Sequence, residues 1–321
     1  MTATASSTSP ATVLLIGASG LLGRAVAAAL AGEPSVALIA TVRNPQTAGA
    51  RLLALPPDRL AILDVLDRAA LEHAFDTCRP TAVIICAAER RPDVCERDPS
   101  AARAINVDAP AQIGALAARH GAWTLGISTD YVFDGSAAPY REDAAPNPLN
   151  IYGRTKLEGE AALLAASPLS CVLRLPLLYG PIADWSESAV TSLVPATVGS
   201  ARPGAGAVGM DAWAIRYPTY TPDVAAVIRD LTLRHLAGAT VTGIRHWSGR
   251  EPMTKYEIAR RIAAAFGIEA SLTPIDRPAD ATPRPYDCHL DASRLRALGI
   301  DHETPFDTAL RAVLRSAPPV P

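Results

Sequence analysis

The sequence predicts an α/β fold: a doubly wound, mostly parallel sheet with a smaller C-terminal lobe. Three observations carry this. Short apolar runs alternate with stretches of helical periodicity through the first 175 residues. A glycine-rich turn, Gly17-Ala-Ser-Gly20-Leu-Leu-Gly23, joins the first apolar run to the first helical stretch. After Pro176 the alternation breaks up, leaving too little regular pattern to extend the sheet by more than one strand.

Taken in order, Thr12–Ile16 is a buried strand, because its apolar run is short and ends at glycine. Leu21–Ala31 is alanine-rich and helical, and Val36–Val42 and Leu60–Leu63 are strands. Asp67–Cys78 is helical, with Leu71, Ala74, Phe75 and Cys78 on one face. Ala82–Cys86 is a fourth strand. Pro99–His120 is a long helical stretch with an interruption near Pro110. Trp123–Ser128, a helix over Tyr152–Ala166 and a strand over Cys171–Leu175 complete the pattern.

In the second half, Gly199–Gly209 reads as a loop, Asp223–His235 as a helix and Gly243–Trp247 as a strand. Met253–Phe266, Asp291–Leu298 and Pro305–Ser316 read as helices. The expected organisation is a polar, disordered tail over residues 1–10 and a nucleotide-binding unit over 11–175, to which 217–247 return. The smaller lobe comes from 176–216 and 248–321. The terminal Ser316–Pro321 is uncharged and proline-rich, and is expected to fray; docking as an extended peptide is the other reading.

Bulk properties exclude several classes. The 321 residues are 49% hydrophobic and 19% charged, a globular composition, and the net charge is −2. That balance leaves no basic excess for nucleic acid or a membrane surface. No apolar run approaches a membrane span. Residues 1–10 carry neither arginine nor an apolar core, so no targeting peptide is expected. Five cysteines (Cys78, Cys86, Cys95, Cys171, Cys288) lack C-x-x-C spacing and are expected to be reduced thiols of a cytoplasmic protein. The six histidines show no metal-ligand spacing, so no metal site is expected.

The glycine turn lies between a strand and a helix, where such turns cradle a pyrophosphate. Gly17 permits the tight turn, Gly20 lets the backbone approach the phosphates and Gly23 lets the helix pack on the sheet. The N-terminus of the helix offers unpaired N–H groups and a favourable dipole. This is the dinucleotide-binding turn of a Rossmann fold. The second strand leads into Arg43, twenty residues after Gly23, where an NAD site places an acid. A guanidinium suits a 2′-phosphate, so the expected cofactor is NADP. Asp64 and Val65 follow the third strand and are expected to flank the adenine. Ser19, Leu21 and Leu22 in the turn, Cys86, Ala87 and Ala88 after the fourth strand, and Leu175 at the end of the sixth are further candidate contacts, because ligands bind at the C-terminal ends of such strands.

Ser128-Thr129-Asp130 closes the fifth strand, and Tyr152-Gly-Arg-Thr-Lys156 follows. The i, i+4 spacing puts Tyr152 and Lys156 on one helical face. A free phenol titrates near pH ~10, too high for acid–base work at neutral pH, and an adjacent ammonium is expected to lower it. Thr129 can orient a carbonyl. Lys156 is one of only two lysines among 30 basic residues, which points to a need for an ammonium.

These strings carry a family resemblance. Ser128-Thr-Asp-Tyr-Val-Phe-Asp-Gly135, Tyr140-Arg-Glu-Asp143 and Asn147-Pro-Leu-Asn-Ile-Tyr-Gly-Arg-Thr-Lys-Leu-Glu-Gly-Glu160 resemble the dTDP-4-dehydrorhamnose reductase family of extended short-chain dehydrogenases/reductases. The resemblance covers about residues 12–308. It implies reduction of a 4-keto nucleotide sugar by NAD(P)H, with Thr129, Tyr152 and Lys156 as the catalytic set. Further strings are similar to one branch of that family, the regulatory beta subunits of methionine adenosyltransferase. These include Glu89-Arg-Arg-Pro-Asp93, Glu187-Ser-Ala-Val-Thr191, Arg216-Tyr-Pro-Thr219 and Met253-Thr-Lys-Tyr-Glu257.

The chain departs from the reductases at their Asp-Gln-x-Gly-x-Pro-Thr pattern, whose glycine is expected to be replaced by bulky Tyr217, altering a nucleotide-sugar pocket. Thr129 stands where the regulatory branch often has serine, and either hydroxyl serves. Three readings result: an NADP-binding regulatory subunit partnered by the catalytic subunit that makes S-adenosylmethionine, an active NADPH-dependent keto-sugar reductase, and an NADP-sensing scaffold with another partner.

Overall fold

The computed structural model of the chain describes residues 9–276 and 282–320. Most of the expected polar tail, residues 1–8, and the last residue, Pro321, lie outside the described residues. In chain order the first elements are β1 (Ala11–Ile16), α1 (Leu21–Ala31), β2 (Val36–Val42), α2 (Ala48–Arg51), β3 (Leu60–Ile62), α3 (Arg68–Cys78) and β4 (Ala82–Ile85). Then come α4 (Pro92–Arg97), α5 (Pro99–Arg103), α6 (Ala109–His120), β5 (Trp123–Thr129), α7 (Ile151–Ala166) and β6 (Ser170–Leu175). The second half holds β7 (Leu178–Tyr179), α8 (Val194–Gly199), β8 (Val208–Asp211), β9 (Thr219–Tyr220), α9 (Thr221–Leu236) and β10 (Gly243–His246). It ends with α10 (Lys255–Phe266), β11 (Leu272–Ile275), α11 (Ser293–Ala297) and α12 (Phe306–Ser316).

Seven strands form one parallel sheet in the order β10-β6-β5-β4-β1-β2-β3. Parallel pairing needs crossovers, and the crossover helices cover both faces, so the strands are apolar on both sides. β1 shows this. Leu14 and Ile16 pack with Leu71 and Phe75 of α3, Ile113 of α6 and Leu163 of α7. Val13 and Leu15 face the opposite layer, with Val26 and Leu30 of α1 and Ile228 of α9. β10 is the one strand that the second half adds to the sheet.

The stretch expected as one interrupted helix near Pro110 is α5, a π-helical turn over Ala104–Asp108, and α6. Pro110 has no N–H to offer the preceding turn and its ring crowds that backbone; the wider turn makes room. The widened backbone sits hard against α7, where a Cβ on Gly159 would lie 2.0 Å from the Asn106 carbonyl oxygen.

The segment Gly199–Gly209 is not wholly a loop. Val208 and Gly209 begin β8, which pairs in parallel with β11. Strands this short carry no readable period, and β11 is largely exposed and contains Pro274. α2, α4, α8, β7 and β9 were likewise too short for periodicity to announce.

α10 starts at a capping box in which Thr254 and Glu257 bond each other's backbone N–H, and it ends at left-handed Gly267. Its buried Ile258 and Ile262 join Tyr179, Phe306, Leu310 and Val313 in a cluster of their own. The C-terminal tail does not fray over 317–320. Ala317 and Val320 pack against that cluster, and the Trp185 indole N–H donates to the Pro319 carbonyl at 3.1 Å. Among the described residues no helix is long and apolar enough to cross a membrane.

Candidate functional site

A cavity of about 310 Å³ opens where β1, β4, β5 and β6 end. β1 and β4 are the neighbours at which the strand order reverses direction, the place where an open α/β sheet leaves a crevice.

The glycine turn forms one wall. Gly17 has φ +84°, and a Cβ there would lie 2.7 Å from the Ala87 nitrogen. A Cβ on Gly23 would lie 2.2 Å from the Gly17 carbonyl oxygen. These two glycines are required by the fold. Gly20 is not: it is exposed, and a Cβ there would meet nothing nearer than the Gly17 oxygen at 3.5 Å. It also heads α1 without a capping side chain. The chain thus leaves a cradle that a Cβ would fill, beside an uncapped helix N-terminus, and the residues present fit a dinucleotide pyrophosphate.

The turn is held from behind by buried Arg24. Its Nη1 donates to the Ser19 carbonyl at 2.8 Å, and its guanidinium pairs with Glu187 at 2.6 and 3.0 Å. Glu187 also accepts from the Ala183 N–H, so this pair ties α1 to the segment over the cleft.

Of the expected cofactor contacts, Gly20, Leu21, Leu22, Cys86, Ala87, Ala88, Tyr152, Lys156 and Leu175 line the cavity, as does Thr129. Gly17, Ser19 and Gly23 build the turn and are not among the lining residues. Arg43 is exposed just beyond β2, outside the cavity. Asp64 and Val65 follow β3, also outside it. Asp64 accepts from the Leu66 N–H at 3.0 Å, and the Val65 side chain is buried in the layer beneath the sheet.

Thr129 is the last residue of β5, and α7 presents Tyr152 and Lys156 to it. Asn150 sets the start of α7 by accepting the Gly153 N–H at 2.9 Å. The phenol differs from expectation. Burial holds its pKa above the ordinary value, although the Thr129 hydroxyl bonds it and pulls the other way. Lys156 is not what sets it. Its Nζ donates to the Ile127 carbonyl at 2.7 Å, and burial brings the ammonium down to about 8 against the opposing pull of Glu160. Desolvation of the phenolate outweighs an ammonium engaged elsewhere.

Behind Lys156 lies a buried polar group unannounced by the sequence. Glu160 is bonded by the Ser128 hydroxyl and by Arg174 Nη2 and Nε, the latter two at 2.6 and 2.9 Å. Arg174 sits 5.2 Å over the Phe133 ring and 3.4 Å from His246 Nε2. Only the i, i+4 spacing of Lys156 and Glu160 hinted at it.

Asp130 and Arg216 also line the cavity. Burial raises the Asp130 carboxyl to about 7, with the charge of Arg216 and the bond from Thr129 opposing. Tyr217 does not line the cavity as expected; its ring stacks on His289, with centroids 4.0 Å apart and planes 9° apart. Counted back from the Pro218-Thr219 pair, the glycine of the reductase pattern falls on Arg216. The bulky replacement is therefore the arginine. Arg90 and Arg284 line the cavity too; in a chain with 28 arginines against two lysines, nothing singled them out.

The family described as RmlD substrate binding domain matches residues 11–318. The chain belongs to this family. A methionine adenosyltransferase 2 subunit beta from Xenopus tropicalis is 46% identical over 258 residues, 80% of this chain and 76% of the relative. The protein of the same name from Bos taurus is 42% identical over 304 residues, 94% of this chain and 86% of the relative. A solved dTDP-4-dehydrorhamnose reductase from Clostridium acetobutylicum superposes with a TM-score of 0.79 at 28% identity, covering 95% and 98% of the two chains. The RmlD-family chain therefore shares its fold with a dTDP-4-dehydrorhamnose reductase and more of its sequence with proteins named methionine adenosyltransferase 2 subunit beta.

Proposed function

We propose that this chain is a cytoplasmic, NADP-binding regulatory subunit of methionine adenosyltransferase that modulates S-adenosylmethionine synthesis through contact with the catalytic subunit. The observation that carries the reading is its 42% identity over 94% of its length to a protein named as that subunit. In this reading residues 11–175 with 217–247 hold the cofactor, and 176–216 with 248–320 form the smaller lobe. Gly17, Gly20 and Gly23 admit the pyrophosphate at the N-terminus of α1, with Ser19, Leu21 and Leu22 beside it. Arg43 takes the 2′-phosphate. Asp64 and Val65 border the adenine. Cys86, Ala87, Ala88 and Leu175 border the nicotinamide half, and Lys156 bonds its ribose.

The test is co-elution with the same organism's methionine adenosyltransferase catalytic subunit on size exclusion, with and without NADPH, assaying the peak for S-adenosylmethionine synthesis. A stable complex with altered kinetics is the expected result. Absence of a complex well above micromolar concentration would overturn the reading.

A second reading is supported by the meeting of Thr129, Tyr152 and Lys156 in one cavity: an NADPH-dependent carbonyl reductase. The bound cofactor supplies a hydride; Thr129 orients the carbonyl and the Tyr152 hydroxyl delivers the proton. That phenol is protonated at neutral pH, as an acid must be, although burial raises its pKa and makes it a weaker donor. Tyr152→Phe should then abolish NADPH oxidation while NADPH affinity stays within about twofold; persisting turnover would require another proton donor.

A further inference from the structure

We propose that residues 181–187 form a strap across the cofactor crevice, latched to the glycine turn by Arg24 and Glu187, so that a nicotinamide dinucleotide enters and leaves when the latch opens. The strap has this role only if the cleft holds a dinucleotide, as the proposed function requires.

The strap is bonded to each bank of the crevice. On the α1 side Arg24 Nη2 donates to the Pro181 carbonyl at 3.1 Å, and both Nη atoms donate to the Glu187 carboxylate at 2.6 and 3.0 Å. On the other side Arg90, which follows β4, donates from Nη2 to the Ser186 carbonyl at 3.3 Å. Glu187 lines the cavity together with Arg90 and with Gly20, Leu21 and Leu22 of the cradle. Pro181, Asp184 and Ser186 are exposed, so solvent lies on the outer side of the strap.

Its root is in the small lobe. Ile182 and Trp185 are buried in the cluster that holds Ile258, Phe306 and Val313. Asp184 accepts the Ser186 N–H at 2.9 Å and Glu187 accepts the Ala183 N–H at 2.8 Å, which gives the strap a shape of its own.

The latch is also part of the cradle. The Arg24 guanidinium donates to the Ser19 carbonyl at 2.8 Å, and α2 closes on both groups: a Cβ on Gly49 would lie 2.3 Å from that oxygen and 2.7 Å from Arg24 Nη1. Arg24 is therefore fixed to the turn, and Glu187 is the arm that lets go. The two side chains are 8% and 21% exposed, so parting them leaves charges with little water to replace the partner. With the latch shut, Arg24 neutralises Glu187. With it open, an unpaired carboxylate stands beside the cradle for two phosphates. A bound dinucleotide favours the shut latch, and by linkage the shut latch retains the dinucleotide.

The experiment is hydrogen exchange of the full chain, read by mass spectrometry with and without saturating NADPH. It is joined by stopped-flow binding of NADPH and its displacement by excess NADP. NADPH should slow exchange across 181–187 about tenfold or more, as well as across the turn at 17–23. Glu187→Asp keeps the charge and shortens the arm. It should both bind and release NADPH about tenfold faster, with Kd changing less than either rate. Protection of the turn with 181–187 unchanged would overturn the gating role. So would a folded Glu187→Asp protein with wild-type rates, or one in which release alone quickens, since that is a lost contact and not an opened strap. If the variant does not fold, the exchange of the wild type decides. Protection of neither segment would sink the dinucleotide reading and the strap with it.

Discussion

At Asp130 burial outweighs a neighbouring positive charge, and the balance has a measurable sign. The carboxyl ordinarily titrates at 3.8, and here at about 7. Between those values the folded chain holds a proton that the unfolded chain has lost. Stability therefore falls as pH rises through that window and levels off above it. Asp130→Asn removes the titrating group, so its melting temperature relative to wild type should be higher at pH 8 than at pH 5. A difference independent of pH would show that the carboxyl is not the cause. Arg43 is a second residue with a sharp expectation. Only NADPH carries a 2′-phosphate, so Arg43→Ala should weaken NADPH about tenfold and NADH hardly at all in titrations; equal weakening would contradict the assignment. The three glycines of the turn illustrate how unevenly single residues can be read. All three were legible as a motif. Only the packing separates Gly17 and Gly23, which neighbouring backbone demands, from Gly20, which is left open.

Among the elements, α7 carries the most chemistry. Its first turn holds Tyr152 against Thr129, and the turns that follow place Lys156 and Glu160 under the sheet. Among the described residues Glu160 is the sole carboxylate paired with Arg174, which is 2% exposed. Glu160→Gln leaves that guanidinium buried without its counter-charge, which should cost about 3–5 kcal/mol in denaturant unfolding. A loss below about 1 kcal/mol would mean that Arg174 finds other compensation. The helix itself was legible from its spacing, as were β1, β4, β5 and β6 from their apolar runs. The π-helical turn before α6 was legible only as a disturbance at Pro110, because its form depends on the close approach of Gly159 across the interface. β8 and β11 were not legible at all, since a short two-stranded pair is made by contact between distant segments and leaves no period in either.

For the molecule as a whole, two apolar layers sandwich the sheet, and a third cluster gathers α10, α12 and the segment from Tyr179 to Val194. The C-terminal tail closes that third cluster over Trp185. Deleting Ala317–Pro321 should therefore shift Trp185 fluorescence to the red and lower the melting temperature by a few degrees. An unchanged emission would mean that the tail does not cover the indole. If the deletion also abolishes co-elution with the catalytic subunit, the tail acts in docking as well.

The sequence by itself determined the alternation of strand and helix, the glycine turn and the family, and it singled out Thr129, Tyr152 and Lys156 as a candidate set. Each of these is read from periods and short motifs, even where the motifs themselves lie far apart in the chain, as those of Thr129 and Tyr152 do. The tertiary structure alone decided which arginine faces the cleft, what Lys156 and Glu160 touch, and that Tyr217 turns away to stack on His289. These depend on groups far apart in the chain, and on burial, which reverses the shift expected of the Tyr152 phenol and raises that of Asp130. Desolvation is a property of the assembled interior, and no spacing along the chain encodes it.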